Sequence, residues 1–359
     1  MLDYYSCSLF GIMVLLLGCN SGTSVQLDED SPPFERLSEY RFFQGDPKNL
    51  LPSLGVLPYE VITQLFSDYA EKARFVWIPG GSRARIADID ESFEFPIGSV
   101  LIKNFYYFND ARTPEKGKQL IETRLLVNRK AGWDALTYVW DEQQAEAYLE
   151  IAGDVRKVDW IDLRGEPKNT TFIIPNKNQC KGCHEYKKKL QPIGPKVRHL
   201  NRIFAYQEGP MNQLEKWQLQ GYLEPIGSDP ADLTKVARWN DEKALLSDRA
   251  LAYLEINCGI CHGEHGPAYI SGLFLTTFTK DLNHLGVCKS PVSAGSGSGG
   301  RQYDIVPGNP DASILIYRME TLNPGEMMPE LGRTMVHEEG VELIREWISS
   351  MEGECPDAL

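Results

Sequence analysis

Val100-Leu101-Ile102-Lys103-Asn104-Phe105-Tyr106-Tyr107-Phe108 is a run of β-branched, aliphatic and aromatic residues that suits a pleated, half-buried strand. Comparable runs lie on either side of it: Arg74 to Ile78, Glu122 to Val127, Leu136 to Trp140, Val155 to Ile161 and Thr170 to Ile174. Clusters of Gly, Pro and Asn separate them. Residues Tyr59 to Ile174 therefore read as an antiparallel sheet or sandwich, with Phe105 to Phe108 as sheet core.

From Asn176 onward the character changes to short helical stretches. Ser247 suits a helix cap, and Leu251, Leu254, Cys258 and Cys261 recur near helical spacing. Val341, Ile344, Ile348 and Met351 form an apolar stripe, with Glu338 and Glu339 at the favourable N-terminal end of its helix.

Two short motifs stand in this half, Cys180-Lys181-Gly182-Cys183-His184 and Cys258-Gly259-Ile260-Cys261-His262. Each has the spacing that attaches a c-type haem: two thiols form thioethers to one porphyrin, and the following imidazole is the proximal iron ligand. With 8 Cys and 6 His in 359 residues, shuffling would give about 0.003 such motifs. A zinc site or a redox Cys-x-x-Cys would need further Cys or His pairs at metal spacing, and none follow. Two covalent haems c are expected, with Cys180, Cys183, Cys258 and Cys261 as attachment points and His184 and His262 on iron.

The opposite face of each iron decides between carrier and catalyst. Met328, followed by Pro329, is the leading sixth ligand of the second haem, with Met327 and His337 as alternatives; His/Met ligation raises the potential. For the first haem Met211 and His199 compete, and an open sixth position is the third option. His265 and His284 read as solvent-facing or propionate-contacting. Gly295 to Arg301 lacks the Lys-Ser/Thr of a phosphate loop and reads as a mobile loop with Arg301 available to a haem propionate.

Haem attachment of this kind happens outside the cytoplasm. Leu9 to Leu17 is an apolar run of nine residues, suited to a signal peptide and too short to span a bilayer. It leads into Leu16-Leu17-Gly18-Cys19, which resembles the lipobox of bacterial lipoproteins. That resemblance implies cleavage before Cys19, lipidation of Cys19 and anchoring to a bacterial membrane; ordinary cleavage to a soluble periplasmic protein is the alternative. Asn20 and Ser21 lack the Asp that retains lipoproteins at the inner membrane, which favours the outer one. With Cys7 leaving in the signal, Cys288 and Cys355 remain, either as one disulfide or as two buried thiols. A net charge of −13 argues against nucleic acid and suits a redox partner with a basic docking patch, or solubility alone.

The C-terminal part resembles the cytochrome c domains of planctomycete multidomain proteins through Cys258 to His262, Val306 to Leu315, Met328-Pro329 and Ile344 to Ile348 around Trp347. Nearly the whole mature chain is similar to a family of bacterial diheme c-type cytochromes. That likeness is carried by Phe95 to Gly98, Ile174 to Asn176, Leu190 to Lys196, Gly209 to Leu214 and Gly295 to Arg301. A related module is fused to quinoprotein sugar dehydrogenases, which makes a quinoprotein or another cytochrome the implied redox partner. The β-rich unit before the first motif also resembles cytochrome P460, where a haem is crosslinked to lysine; Lys103 is the residue at issue.

The expected fold is α+β: an N-terminal antiparallel β domain followed by two mainly α-helical cytochrome c units. The expected division is 1–18 signal peptide, 19–55 lipidated tether and linker, 56–175 β domain, 176–245 first haem unit and 246–357 second haem unit. The expected function is extracytoplasmic electron transfer, with a diheme peroxidase or P460-like haem enzyme as the alternative.

Overall fold

The computed structural model describes residues 24–356. Cys7, Cys19 and the expected signal segment lie outside the described residues. The apolar runs form strands β1 (Leu57–Tyr59), β2 (Glu71–Trp77), β3 (Val100–Phe108), β4 (Lys118–Arg129), β5 (Gly132–Trp140) and β6 (Ala147–Glu150). They pair antiparallel in chain order as one six-stranded meander. A separate hairpin, β7 (Asp154–Ile161) and β8 (Pro167–Ile174), folds against one end of it. The register between β3 and β4 shifts at Phe105/Tyr106, leaving Ile121 as the extra bulged residue.

Strand alternation gives the sheet two faces. On one, Val100, Ile102, Leu125, Val127 and Tyr138 are buried beneath Leu37, Tyr40, Phe42 and Leu50. Residues 36–55, expected as part of the 19–55 tether and linker, are thus a packed cover over the sheet. Tyr40 and Tyr138 share a hydrogen bond between hydroxyls at 2.9 Å. The other face carries two apolar clusters. Val76, Leu101 and Leu126 pack with Val197, Leu200, Leu214 and Trp217. Phe105, Tyr107, Ile121 and Val139 pack with Val158, Trp160, Phe172 and Ile174.

The expectation of two mainly α-helical units is wrong. The described residues hold twelve strands and six α-helices, and their regular structure is dominated by antiparallel β. After α1 (Lys177–His184) come the small hairpins β9 (Glu185–Tyr186) with β10 (Lys189–Leu190), and β11 (Ile203–Tyr206) with β12 (Gly209–Asn212). Helices α2 (Val197–Leu200) and α3 (Gln213–Leu219) are short and bury Leu200 and Trp217 against the sheet. Elements this short cannot enclose a core, so the segment shares the sheet's core instead of forming a helical unit.

Farther on, α4 (Leu246–Leu254), α5 (Ile314–Glu320) and α6 (Glu338–Ser349) gather Leu254, Ile316, Ile344, Trp347 and Ile348 into a core of their own. Most of the chain between α4 and α5 runs in turns and short 3-10 segments, where Gly residues recur. The cap of α4 is Leu245, with no side-chain cap bond, and Ser247 lies inside the first turn. The acidic start of α6 and the buried Val341, Ile344 and Ile348 follow the sequence pattern, whereas Met351 lies beyond the helix end. Among the described residues no helix is long and apolar enough to cross a membrane.

Candidate functional site

A cavity of about 1330 Å³ lies between the second sheet face and the two motif-bearing segments. It exceeds the roughly 300–1,000 Å³ usual for one small-molecule pocket. Cys180, Cys183, His184, Cys258 and Cys261 all line it, so both motifs open on the same space. They also touch: Cys261 Sγ lies 3.8 Å from the Gly182 carbonyl oxygen. The neighbouring Cys261 thiol lowers the pKa of Cys183, while burial pushes Cys258 up to about 12.

The first motif lies wholly in α1, whose start is fixed by a reciprocal cap: Gln179 N donates to Asn176 Oδ1 and Asn176 N to Gln179 Oε1, each at 2.9 Å. Helical spacing then brings Cys180, Cys183 and His184 to one side. The second motif follows α4 through a π-helical turn, Glu255–Gly259, a widening of the kind often found at functional sites. Gly259 is required there, since a Cβ would meet the Leu275 carbonyl oxygen at 2.5 Å.

Both histidines are oriented through Nδ1. His184 Nδ1 lies 3.0 Å from the Gln191 carbonyl oxygen, and His262 Nδ1 lies 3.3 Å from Ser271 Oγ. Anchoring Nδ1 leaves Nε2 as the coordinating nitrogen. Burial brings each down to about 4, so both rings are neutral and able to ligate at neutral pH. His184 lines the cavity; His262 follows the lining residue Cys261 without being part of the wall itself. These residues fit covalent haem: paired thiols, a neutral imidazole beside each pair and a large shared space. No group of three or more His, Cys, Asp or Glu converges as a metal cage among the described residues. Haem iron, held by its porphyrin, needs only one or two protein ligands.

The distal candidates separate. Met328 lines the cavity, on a loop tied to the β domain: the Asp68 carboxylate accepts from Thr334 N at 2.7 Å, Met335 N at 2.8 Å and Thr334 Oγ1 at 2.9 Å. Met327 is not part of the lining. His337 reaches it, stacked on Phe66 at 4.3 Å with Nδ1 3.0 Å from the Tyr253 hydroxyl. Met211 does not reach it; on β12 it packs into the Trp217 cluster. His199 lines the cavity, but its Nε2 is taken by Glu255 Oε1 at 3.0 Å. Arg198 Nε donates to the same oxygen at 2.8 Å.

Of the remaining sequence candidates, His265 lines the cavity and stands edge-on to Tyr186 at 5.4 Å, whereas His284 packs on Phe274 outside it. Arg301 does not face the cavity. Its Nε donates to the Asp311 carbonyl at 2.7 Å and its guanidinium lies over Tyr317. Cys288 and Cys355 are joined by a disulfide that closes the C-terminus onto the segment after the second motif.

Sequence reasoning missed Arg74 and Arg124, which line the cavity together with Lys103. Arg124 holds Glu122 in a two-bond fork, Nε to Oε2 at 2.9 Å and Nη2 to Oε1 at 2.6 Å. The available signal was a cation in the middle of each of three apolar strands. Comparison with family models, curated proteins and solved structures finds no match to this chain.

Proposed function

We propose that this protein is an extracytoplasmic diheme c-type cytochrome that carries electrons between redox proteins. The observation that carries the reading is the meeting of both Cys-x-x-Cys-His motifs on one large cavity, where Cys261 reaches Gly182. Haem c supplies one-electron Fe(III)/Fe(II) chemistry when bound. The chain's part is to hold the groups and control their surroundings. Cys180 and Cys183 would hold one haem and Cys258 and Cys261 the other. His184 would offer Nε2 from the cavity wall and His262 from just behind it, Gln191 and Ser271 would set their tautomers, and Met328 is the sixth ligand proposed for the second haem. The sheet and the Asp68-tied loop would wall the site. The proposed partner is a quinoprotein dehydrogenase or another cytochrome, and the proposed location is the periplasm, with Cys19 lipidated at the outer membrane.

A second reading has its own support. With Met211 packed in the Trp217 cluster and His199 Nε2 held by Glu255, neither predicted sixth ligand is presented to the first haem. An open first haem beside Lys103 suits a haem enzyme of the peroxidase or P460-like kind. Expression with the signal in a host that attaches haem c, followed by intact mass and EPR of the ferric protein, separates these outcomes. A mass gain of two haems with two low-spin signals supports the carrier. One high-spin signal makes the enzyme the better reading, and no covalent haem rejects both. In the loaded protein Met328→Ala is expected to lower the second haem's potential or turn that haem high-spin; an unchanged spectrum and potential rejects Met328 as ligand.

A further inference from the structure

Arg74, Lys103 and Arg124 are direct cross-strand neighbours: Arg74 pairs in register with Lys103, and Lys103 with Arg124. They form a row across β2, β3 and β4, and all three side chains line the cavity. Lys72, two residues from Arg74 on the same strand face, extends the row and is 9% exposed. Like charges directly opposite on neighbouring strands destabilise a sheet, and buried unpaired charge costs more.

The available counter-charge falls short. Glu122 is wholly buried and committed to Arg124. Lys72, Arg74 and Lys103 make no salt bridge among the described residues. The neighbours of the last two are Gln64 Oε1, 3.4 Å from Arg74 Nη1, and the Phe105 ring, 4.7 Å from Lys103 Nζ. The nearest acids are occupied or turned away: Glu60 pairs with Arg202 at 2.9 Å, Asp68 holds Thr334 and Met335, and Glu71 alternates to the opposite side of β2 from Lys72. A chain of net charge −13 therefore keeps a row of basic side chains inside, between two apolar clusters and beside Cys180, Cys183 and His184.

We infer that Arg74, Lys103 and Arg124 form an oxyanion site on the cavity wall at the first motif. Its ligand is a carboxylate or a small oxyanion, received by guanidinium and ammonium donors together. Two sources offer that chemistry: the carboxylates of the haem attached at Cys180 and Cys183, or a diffusible oxyanion at that haem's face. The assignment to haem rests on the proposed function.

The test uses the haem-loaded chain and the variants Arg74→Gln and Lys103→Met. Arg124 is left intact because its loss would orphan Glu122. Potentials are measured from about pH 5 to 8, where a carboxylate released from a cationic clamp begins to titrate. A flat profile in the parent and a sloping one in both variants supports the site with the haem carboxylate as ligand. A spectral shift on adding nitrite, with affinity lowered about tenfold or more in the variants, supports it with a diffusible ligand. If variants and parent agree in both measurements, the site is overturned. Should the parent acquire no haem, the proposed function fails. The site then stands or falls on whether sulfate raises the parent's melting temperature more than the variants' at equal ionic strength.

Discussion

At the scale of single residues, a few side chains hold distant segments together. Asp68 is 2% exposed and accepts two backbone N–H groups and one hydroxyl from Thr334 and Met335, fixing the loop that presents Met328. Burial raises its pKa, while those donors favour the charged form. Asp68→Ala would leave these donors without an acceptor, at an expected cost of about 3 kcal/mol. Chemical denaturation measures the cost directly; a change below about 0.5 kcal/mol would show that the loop stands without this tie. Glu255 plays a similar part beneath the cavity, taking Arg198 and His199 on one oxygen and Thr277 on the other. These contacts and Coulomb attractions outweigh the effect of burial and hold its carboxyl well below the usual carboxylate range.

At the scale of elements, the two motifs depend on different supports. Helix α1 is fixed by its own cap, a local device carried by Asn176 and Gln179. The turn of the second motif is fixed from outside by the strip at Leu275 and Thr276, where Leu275 N donates to the His262 carbonyl at 2.8 Å. Gly259→Ala forces a Cβ against the Leu275 carbonyl. The expected result is a stability loss of about 1–3 kcal/mol together with failure of attachment at Cys258 and Cys261. Peptide mapping of the haem-loaded protein checks this, with Ile344→Ala as the control. That change empties a fully buried place in the helical core, costs about 2–5 kcal/mol and leaves attachment unaffected. Full attachment in Gly259→Ala would show that the strip yields.

At the scale of the whole molecule, the sheet, the motif segments and the helical core close around one cavity, so protonation there acts on global stability. His184, His262 and His337 are each held near 4, chiefly by burial, against a free value near 6.5. Their folded pKa values are depressed, so between about 6.5 and 4 the unfolded chain binds more protons. The stability they contribute is therefore full above about pH 6.5 and lost as the pH falls toward 4. Each contributes about 3 kcal/mol at the upper end. Asp304, pushed up to about 6 by burial, acts in the opposite sense over a similar window and offsets only one of the three. Iron ligation at His184 and His262 would act in the same direction as burial. Urea unfolding at pH 7, 5.5 and 4 is expected to show a steady fall in stability; a flat profile would mean that these rings are not buried in solution.

The sequence by itself determined what short-range chemistry encodes. The two Cys-x-x-Cys-His motifs, the strands around Val100 to Phe108, and the stripe and acidic start of α6 all depend on neighbours a few positions apart, where periodicity and propensity act. Tertiary structure decided the rest. Cys261 meets Gly182 across 79 positions, and Arg74, Lys103 and Arg124 come side by side only through strand register. The apolar segments around Leu200 and Trp217, which looked like part of an independent helical unit, proved too short to bury themselves, and the sheet became their core. His199 and Met211 offered the right ligand chemistry, but packing against Glu255 and Trp217 directed them elsewhere. Residue type specifies which bonds a side chain can make, whereas long-range packing selects the partner that receives them.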